Sequence, residues 1–273
     1  MKKKHSSETT RKFIKNAILL TMAGLALLAA PAVGPATTCT PQTTWTGAVD
    51  NNWFTAGNWN NGVPNSGTAA LINNGGSAQI NSSLPAANAC SLTLDPGTVS
   101  VGSVGSLQVV TQIDVGGTGA TETGLLTVTG SVTAASVAVH TSGTLTGNGT
   151  VSATSGTTID GTIEPSSGRL TIGSGDLTFT SGALMETNVV PASADNVYVS
   201  NGAATLSGKL SVSMSMSATF TPGTTYTLLH AGGGRINTFS SVSITYPTGE
   251  GFTPTIIYDA NGKDVNLYLQ PNT

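Results

Sequence analysis

The sequence predicts an all-β chain wound as a right-handed parallel β-helix (a β-solenoid), closed by an N-terminal Trp-rich cap and a C-terminal β-hairpin cap. Three observations carry that expectation. First, the 273 residues include 44 Thr, 29 Ser and 34 Gly, with 8% charged and 5% aromatic residues. Thr, Ser, Gly and Val are poor helix formers, and 38% apolar content is enough to fold. Second, the apolar runs are three to five residues long and alternate with a period of two, as in Leu170, Ile172 and Leu177, Phe179. Third, glycine, asparagine or serine breaks these runs every five to eight residues. A β-sandwich is the alternative, but it calls for longer strands, core aromatics and turns about every 8–12 residues.

The chain opens on a targeting segment. Residues 1–15 carry Lys2, Lys3, Lys4, Arg11, Lys12 and Lys15 against Glu8, and an apolar run from Ala17 to Ala30 follows. A basic start, a short apolar stretch and small residues describe a secretory signal peptide, assigned to residues 1–36 with cleavage after Ala32 or Ala36. The apolar run is too short to span a hydrocarbon core of about 30 Å.

From residue 33 onward only Arg169, Lys209, Arg235 and Lys263 are basic, against twelve acids, a net charge of −8. Four scattered bases make no cationic stripe, so nucleic acid and an anionic membrane surface are excluded as partners; no membrane insertion is expected after signal removal. Cys39 and Cys90 both lie in the exported part and are expected to pair. Their bridge would close a loop of about fifty residues, worth roughly 4 kcal/mol in the chain-entropy picture.

Three regions follow the signal. Residues 37–89 hold all three tryptophans, Trp45, Trp53 and Trp59, among asparagines and glycines. Large rings in a chain short of bulky apolar residues are expected to form the core of a cap. Exposed indoles would instead stack on sugar rings and make Trp45, Trp53 and Trp59 glycan contacts. Residues 90–215 are the repeat array. Its strands are expected at Ser91–Leu94, Ser106–Val110, Leu125–Val128, Ser136–Val139, Arg169–Ile172, Asp176–Phe179, Asn196–Ser200 and Lys209–Val212. A Gly-Thr-aliphatic unit recurs at Gly97, Gly143, Gly149 and Gly161. At roughly 20 residues per coil the array supplies about six rungs. Residues 216–273 read as longer hairpin-like strands, Tyr226–Leu229, Ser241–Tyr246, Thr255–Tyr258 and Val265–Leu269, with turns at Gly232–Gly234 and around Asn261-Gly262.

The run Leu145-Thr146-Gly147-Asn148-Gly149-Thr150-Val151, then Gly161-Thr162-Ile163-Glu164-Pro165, Gly168-Arg169-Leu170-Thr171-Ile172 and Asp176-Leu177-Thr178-Phe179 resembles the passenger-associated strand repeat of autotransporter-type bacterial proteins. The leading Trp-Gly…Trp…Asn-Trp…Pro segment is similar to a tryptophan-rich module that opens such proteins. The resemblance covers roughly residues 44–269 and implies a β-helical secreted stalk or passenger, with no implied ligand. Two features depart from it: residues 216–273 are too few for a membrane barrel of about a dozen strands, and no C-terminal apolar segment with a basic tail is present.

Chemistry is sparse. No nucleophile elbow, dinucleotide fingerprint or phosphate loop occurs. His140 and His230 lie ninety residues apart. Asp160 and Glu164 are spaced as a carboxylate pair for glycoside cleavage, but a corner expected at Gly161, and Glu164 in a turn before Pro165, turn them apart. Asp259, Asn261 and Asp264 resemble a loose calcium turn with too few ligands, and read better as a hairpin turn. No catalytic residue, cofactor or metal is expected. The function expected is a non-enzymatic cell-surface, extracellular-matrix or adhesion component, secreted or surface-held in a bacterium with the periplasm as the alternative location, whose partner is a surface glycan or another matrix component. The alternatives are a carbohydrate-binding module using the three tryptophans, or a β-helical polysaccharide lyase or hydrolase.

Overall fold

In a strand whose side chains alternate faces, every second residue must find an apolar neighbour. A coil of three short strands cannot bury its own inner face, so coil must stack on coil. The computed structural model describes residues 39–119 and 121–272 and has this arrangement, a parallel β-helix. The expected signal peptide lies outside the described residues.

Each coil gives one strand to each of three sheets. The coil of Ser91–Leu94, Gly97–Val101 and Ser106–Val109 is typical. Seven complete coils are present among the described residues, from Ala69–Ile72 to Thr225–Ala231. Counted from paired residues in the first sheet, successive coils take 22, 21, 24, 20, 20, 27 and 31 residues. The two shortest coils, from Val137 to Thr157 and from Thr157 to Leu177, hold three of the four Gly-Thr-aliphatic units, at Gly143, Gly149 and Gly161.

The core is three ladders of aligned side chains. In the first sheet, Ile72, Leu94, Val115, Val139, Ile159 and Phe179 stand one above the next. The second sheet aligns Ala78, Val99, Leu126, Leu145, Ile163, Met185 and Leu210. The third aligns Leu107, Val132, Val151, Ile172, Val199 and Ala231. All of these are buried, each worth about 1.5–3 kcal/mol of transfer free energy for the larger aliphatic side chains. Corners between sheets are tight enough to demand glycine. A Cβ on Gly143 would lie 2.0 Å from the Val115 carbonyl oxygen of the coil beneath. Gly147 adds a φ of +121°, a conformation that L side chains rarely adopt.

The coiled region is longer than 90–215. Ala69–Ile72, Ser77–Ile80 and Ala87–Ala89 already form a full coil, preceded by Gln42–Thr44, which pairs in parallel with Ala69–Leu71. At the other end Thr225–Ala231 and Ser241–Thr245, expected as hairpin strands, instead continue the parallel ladders beside Asn196–Val199 and Lys209–Met214. Gly232–Gly234 is a corner between coils, not a hairpin turn. Within residues 216–273 the antiparallel hairpin is Phe252–Tyr258 with Asp264–Pro271, and the latter strand pairs with Thr225–Ala231 at that edge of the third sheet; a short antiparallel hairpin also joins Leu184–Val190 to Ser193–Ala194. Glu164 lies within the strand Thr162–Pro165 and not in a turn.

Threonine stands at inward strand positions at Thr43, Thr157 and Thr187, and of these Thr157 is the one whose hydroxyl lacks a partner among the described residues. Thr157 is buried between Val137 and Leu177 in the first sheet. An unpaired buried hydroxyl costs about 1–3 kcal/mol, and valine has the same branching without it. Thr157→Val should therefore raise the thermal midpoint by about 2–4 °C per kcal/mol recovered, read by circular dichroism melting. An unchanged or lowered midpoint would show that the hydroxyl is satisfied.

Candidate functional site

The segment 45–62 is held by one buried amide. Asn58 Oδ1 accepts the backbone N–H groups of Val49 and Asp50, both at 3.0 Å, and its Nδ2 donates to Asp50 Oδ1 at 2.6 Å and to the Asn52 carbonyl at 2.9 Å. Asp50 Oδ1 also accepts the Asn52 N–H at 2.8 Å, and Oδ2 the Thr55 hydroxyl at 3.0 Å. The Asn52 N–H is the main influence holding the Asp50 carboxyl below its ordinary pKa, with Asn58 next. Asn52 then bridges in parallel to Gln79, its neighbours making the Trp53 N–H to Gln79 carbonyl bond at 3.0 Å and the Gln79 N–H to Asn51 carbonyl bond at 2.6 Å. The loop thereby covers the open edge of the second sheet, a device that blunts strand edges.

The three tryptophans lie beneath this loop. Trp45, Trp53 and Trp59 are 2%, 0% and 4% exposed. Trp59 meets Trp45 and Trp53 edge-to-face at centroid distances of 5.0 and 4.9 Å, and donates its Nε1–H to the Trp53 carbonyl at 2.8 Å. Stacking of these indoles on a sugar is thus corrected: no indole face is open to a ligand, because the rings supply the apolar volume that plugs the first coil. Cys39 and Cys90 are bridged, with Cα atoms 5.4 Å apart across a separation of 51 residues. The bridge ties the start of the described chain to the corner before Ser91–Leu94.

Above the indoles lies a groove of about 420 Å³, lined by Asp50, Asn51, Asn52, Phe54, Gln79, Asn81 and Ser82. Of these, Asn52 stands in the tryptophan-rich run beside Trp53, where asparagine amides are suited to bond hydroxyls; for Gln79 and Asn81 the signal is the alternation Ala78, Gln79, Ile80, Asn81, which puts two carboxamides on the outer face. Two further grooves, one between Gly75 and Thr144 and one between Ser83 and Thr150, contain no ionisable side chain.

The histidines do not converge. His140 follows a first-sheet strand and pairs with Asp114 at 2.9 Å, while His230 lies in the third sheet, paired with Asp264 at 2.6 Å and stacked on Tyr198. Asp160 occupies a corner beside the Thr141 and Thr180 hydroxyls, and their hydrogen bonds, that of Thr180 foremost, lower its pKa. Glu164 lies on the outward face of the second sheet, beyond the Gly161 corner. Asp259 accepts the N–H groups of Lys263 and Asp264, both at 2.8 Å, as a hairpin turn does. Among the described residues no group of three His, Cys, Asp or Glu side chains is placed to hold a metal ion, and no helix is long and apolar enough to cross a membrane. Compared with models of known protein families and with curated proteins, the sequence matches none.

Glu164 does stand out electrostatically. Partial burial, and then the nearby charges of Glu186 and Asp195, raise its carboxyl above the ordinary 4.5. A raised carboxyl binds its proton more tightly in the folded chain than in the unfolded one. Stability is therefore lost as pH rises from the unfolded value through the folded one. Glu164→Gln removes the penalty and should raise the thermal midpoint at pH 7 by about 1–3 °C. The gain should shrink as pH falls below 4.5; an equal gain at both pH values would mean that charge is not its origin.

Proposed function

We propose that the chain is an exported, non-enzymatic β-solenoid that serves as a cell-surface, matrix or adhesion component. The observation that carries this reading is the character of the outward faces. Register places short polar side chains above one another from coil to coil, as in Thr158, Thr178 and Thr205, or Ser131, Thr150 and Thr171. Ionisable groups are spread along the stack and the two His–Asp pairs stand in different sheets. Such faces suit a durable spacer: they are solvated, rich in short hydroxyl side chains and made of β-favouring residues. The Cys39–Cys90 bridge supports export, because disulfides persist in oxidising compartments.

Fractionation of cells expressing the full chain, together with reducing-end assays on pectin and alginate, tests both halves of the proposal. Recovery from the surface or medium with the bridge formed, and no polymer cleavage, is the expected result. Retention in the cytosol with free thiols would overturn the export reading. Release of reducing ends, or of unsaturated ends, would replace the scaffold with a β-helical lyase or hydrolase.

A further inference from the structure

The groove above the tryptophans gathers chemistry that the scaffold does not use. Gln79 and Asn81 project from the outer edge of the second sheet, and the parallel bridge at Asn52 sets the loop residues Asn51 and Asn52 beside them. Among the described residues, the carboxamide groups of Asn51, Gln79 and Asn81 make no hydrogen bond. Phe54, half-buried with its inner side against the core, forms part of the wall. Each free carboxamide offers two donors and an acceptor, a pattern that answers the vicinal hydroxyls of a pyranose ring. An aromatic ring offers the apolar C–H face of the same sugar a surface to lie on. Elsewhere on the outer faces polar side chains are mostly Ser and Thr, so three free amides beside a ring are a local departure.

The loop is also built to hold still. Buried Asn58 and the fully engaged Asp50 carboxylate lock residues 49–55 before any ligand arrives, which spares the ordering penalty of binding. The charge of the groove selects among sugars. Its one ionisable residue is Asp50, a carboxylate, and no Lys or Arg lines it. An anionic polymer would meet repulsion with nothing to offset it. The volume of about 420 Å³ falls within the roughly 300–1,000 Å³ range of small-ligand sites, with room for a short stretch of chain.

From these observations we propose that the groove between Asp50–Phe54 and Gln79–Ser82 is a binding site for an uncharged polysaccharide, with Phe54 as the stacking surface and Asn51, Gln79 and Asn81 as hydroxyl partners. The site moves glycan recognition from the buried indoles to their polar neighbours. It stands apart from the scaffold reading: a solenoid with no affinity for sugars remains a scaffold.

Affinity electrophoresis of the full-length exported chain through gels containing soluble β-glucan, xylan, mannan or galactan, with alginate as the anionic comparison, tests the proposal. At least one neutral polymer should retard the protein and alginate should not. Gln79→Ala, at an exposed side chain that the fold does not need, should weaken retardation about tenfold, and Phe54→Ala at least as much. Thr178→Ala, outward in the first sheet and far along the stack, should behave as the unaltered chain. Should Phe54→Ala fail to fold, Asn51→Ala takes its place beside Gln79→Ala. Absence of retardation by all four neutral polymers, a preference for alginate, or retardation that survives the groove substitutions would each overturn the assignment.

Discussion

Stacking of the inner aliphatic side chains is the constraint on which the rest of the structure depends. A coil presents about one apolar residue in two to the interior, and the interior is only as wide as two or three small side chains. Leu126 touches what Leu145 above and Val99 below allow it to touch. The spacing between coils, about 4.8 Å, then dictates the corners. A side chain on Gly143 would collide with the carbonyl oxygen beneath, so glycine is placed by the same rise that aligns the ladder. Short strands, abundant glycine and the shortage of aromatic residues are consequences of one geometry.

A stack of this kind has two ends, and the chain treats them differently. At the start, the interior would open to water beyond Ile72 and Ile80; three indoles fill that opening, and the Asn58-centred loop lies over them. At the finish, the third sheet is extended by an antiparallel hairpin, with aromatic packing among Phe220, Tyr226 and Phe252. Arg235 lies over the Tyr258 ring at 4.8 Å and joins the last coil to that hairpin. The first solution brings polar loop residues to the edge of a sheet and creates a groove as a by-product; the second leaves Ser241–Thr245 as the outermost strand of the second sheet, with Val242 41% exposed.

Much of the fold was legible in the sequence, for identifiable reasons. Ser91–Leu94 and Ser136–Val139 coincide with the strands expected from alternation alone, since Leu, Val and Ile mark the inward positions. The coil at 69–89 was hidden because its inward residues include Ala70, Ala78, Ala87 and Ala89, which carry little strand preference. Residues 225–245 look like hairpin strands in sequence because three glycines after Ala231 resemble a reversal; alternation does not distinguish a parallel neighbour from an antiparallel one. The Cys39–Cys90 bridge and the burial of the tryptophans as a cap core follow from composition. The groove was not legible, because Asp50–Phe54 and Gln79–Ser82 meet only through the parallel bridge at Asn52, a contact between segments about 25 residues apart.

The stacked register can be measured without reference to function. Spin labels placed in pairs at Thr98 and Thr162, Thr98 and Leu184, and Thr98 and Lys209 report positions three, four and five coils apart along one outward column. Stacking predicts separations that lengthen by about 4.8 Å at each step, from about 14 to about 24 Å before the length of the label is added. Distances that fail to increase in that order, or that double back as they would between two facing antiparallel sheets, would contradict the coil-on-coil account.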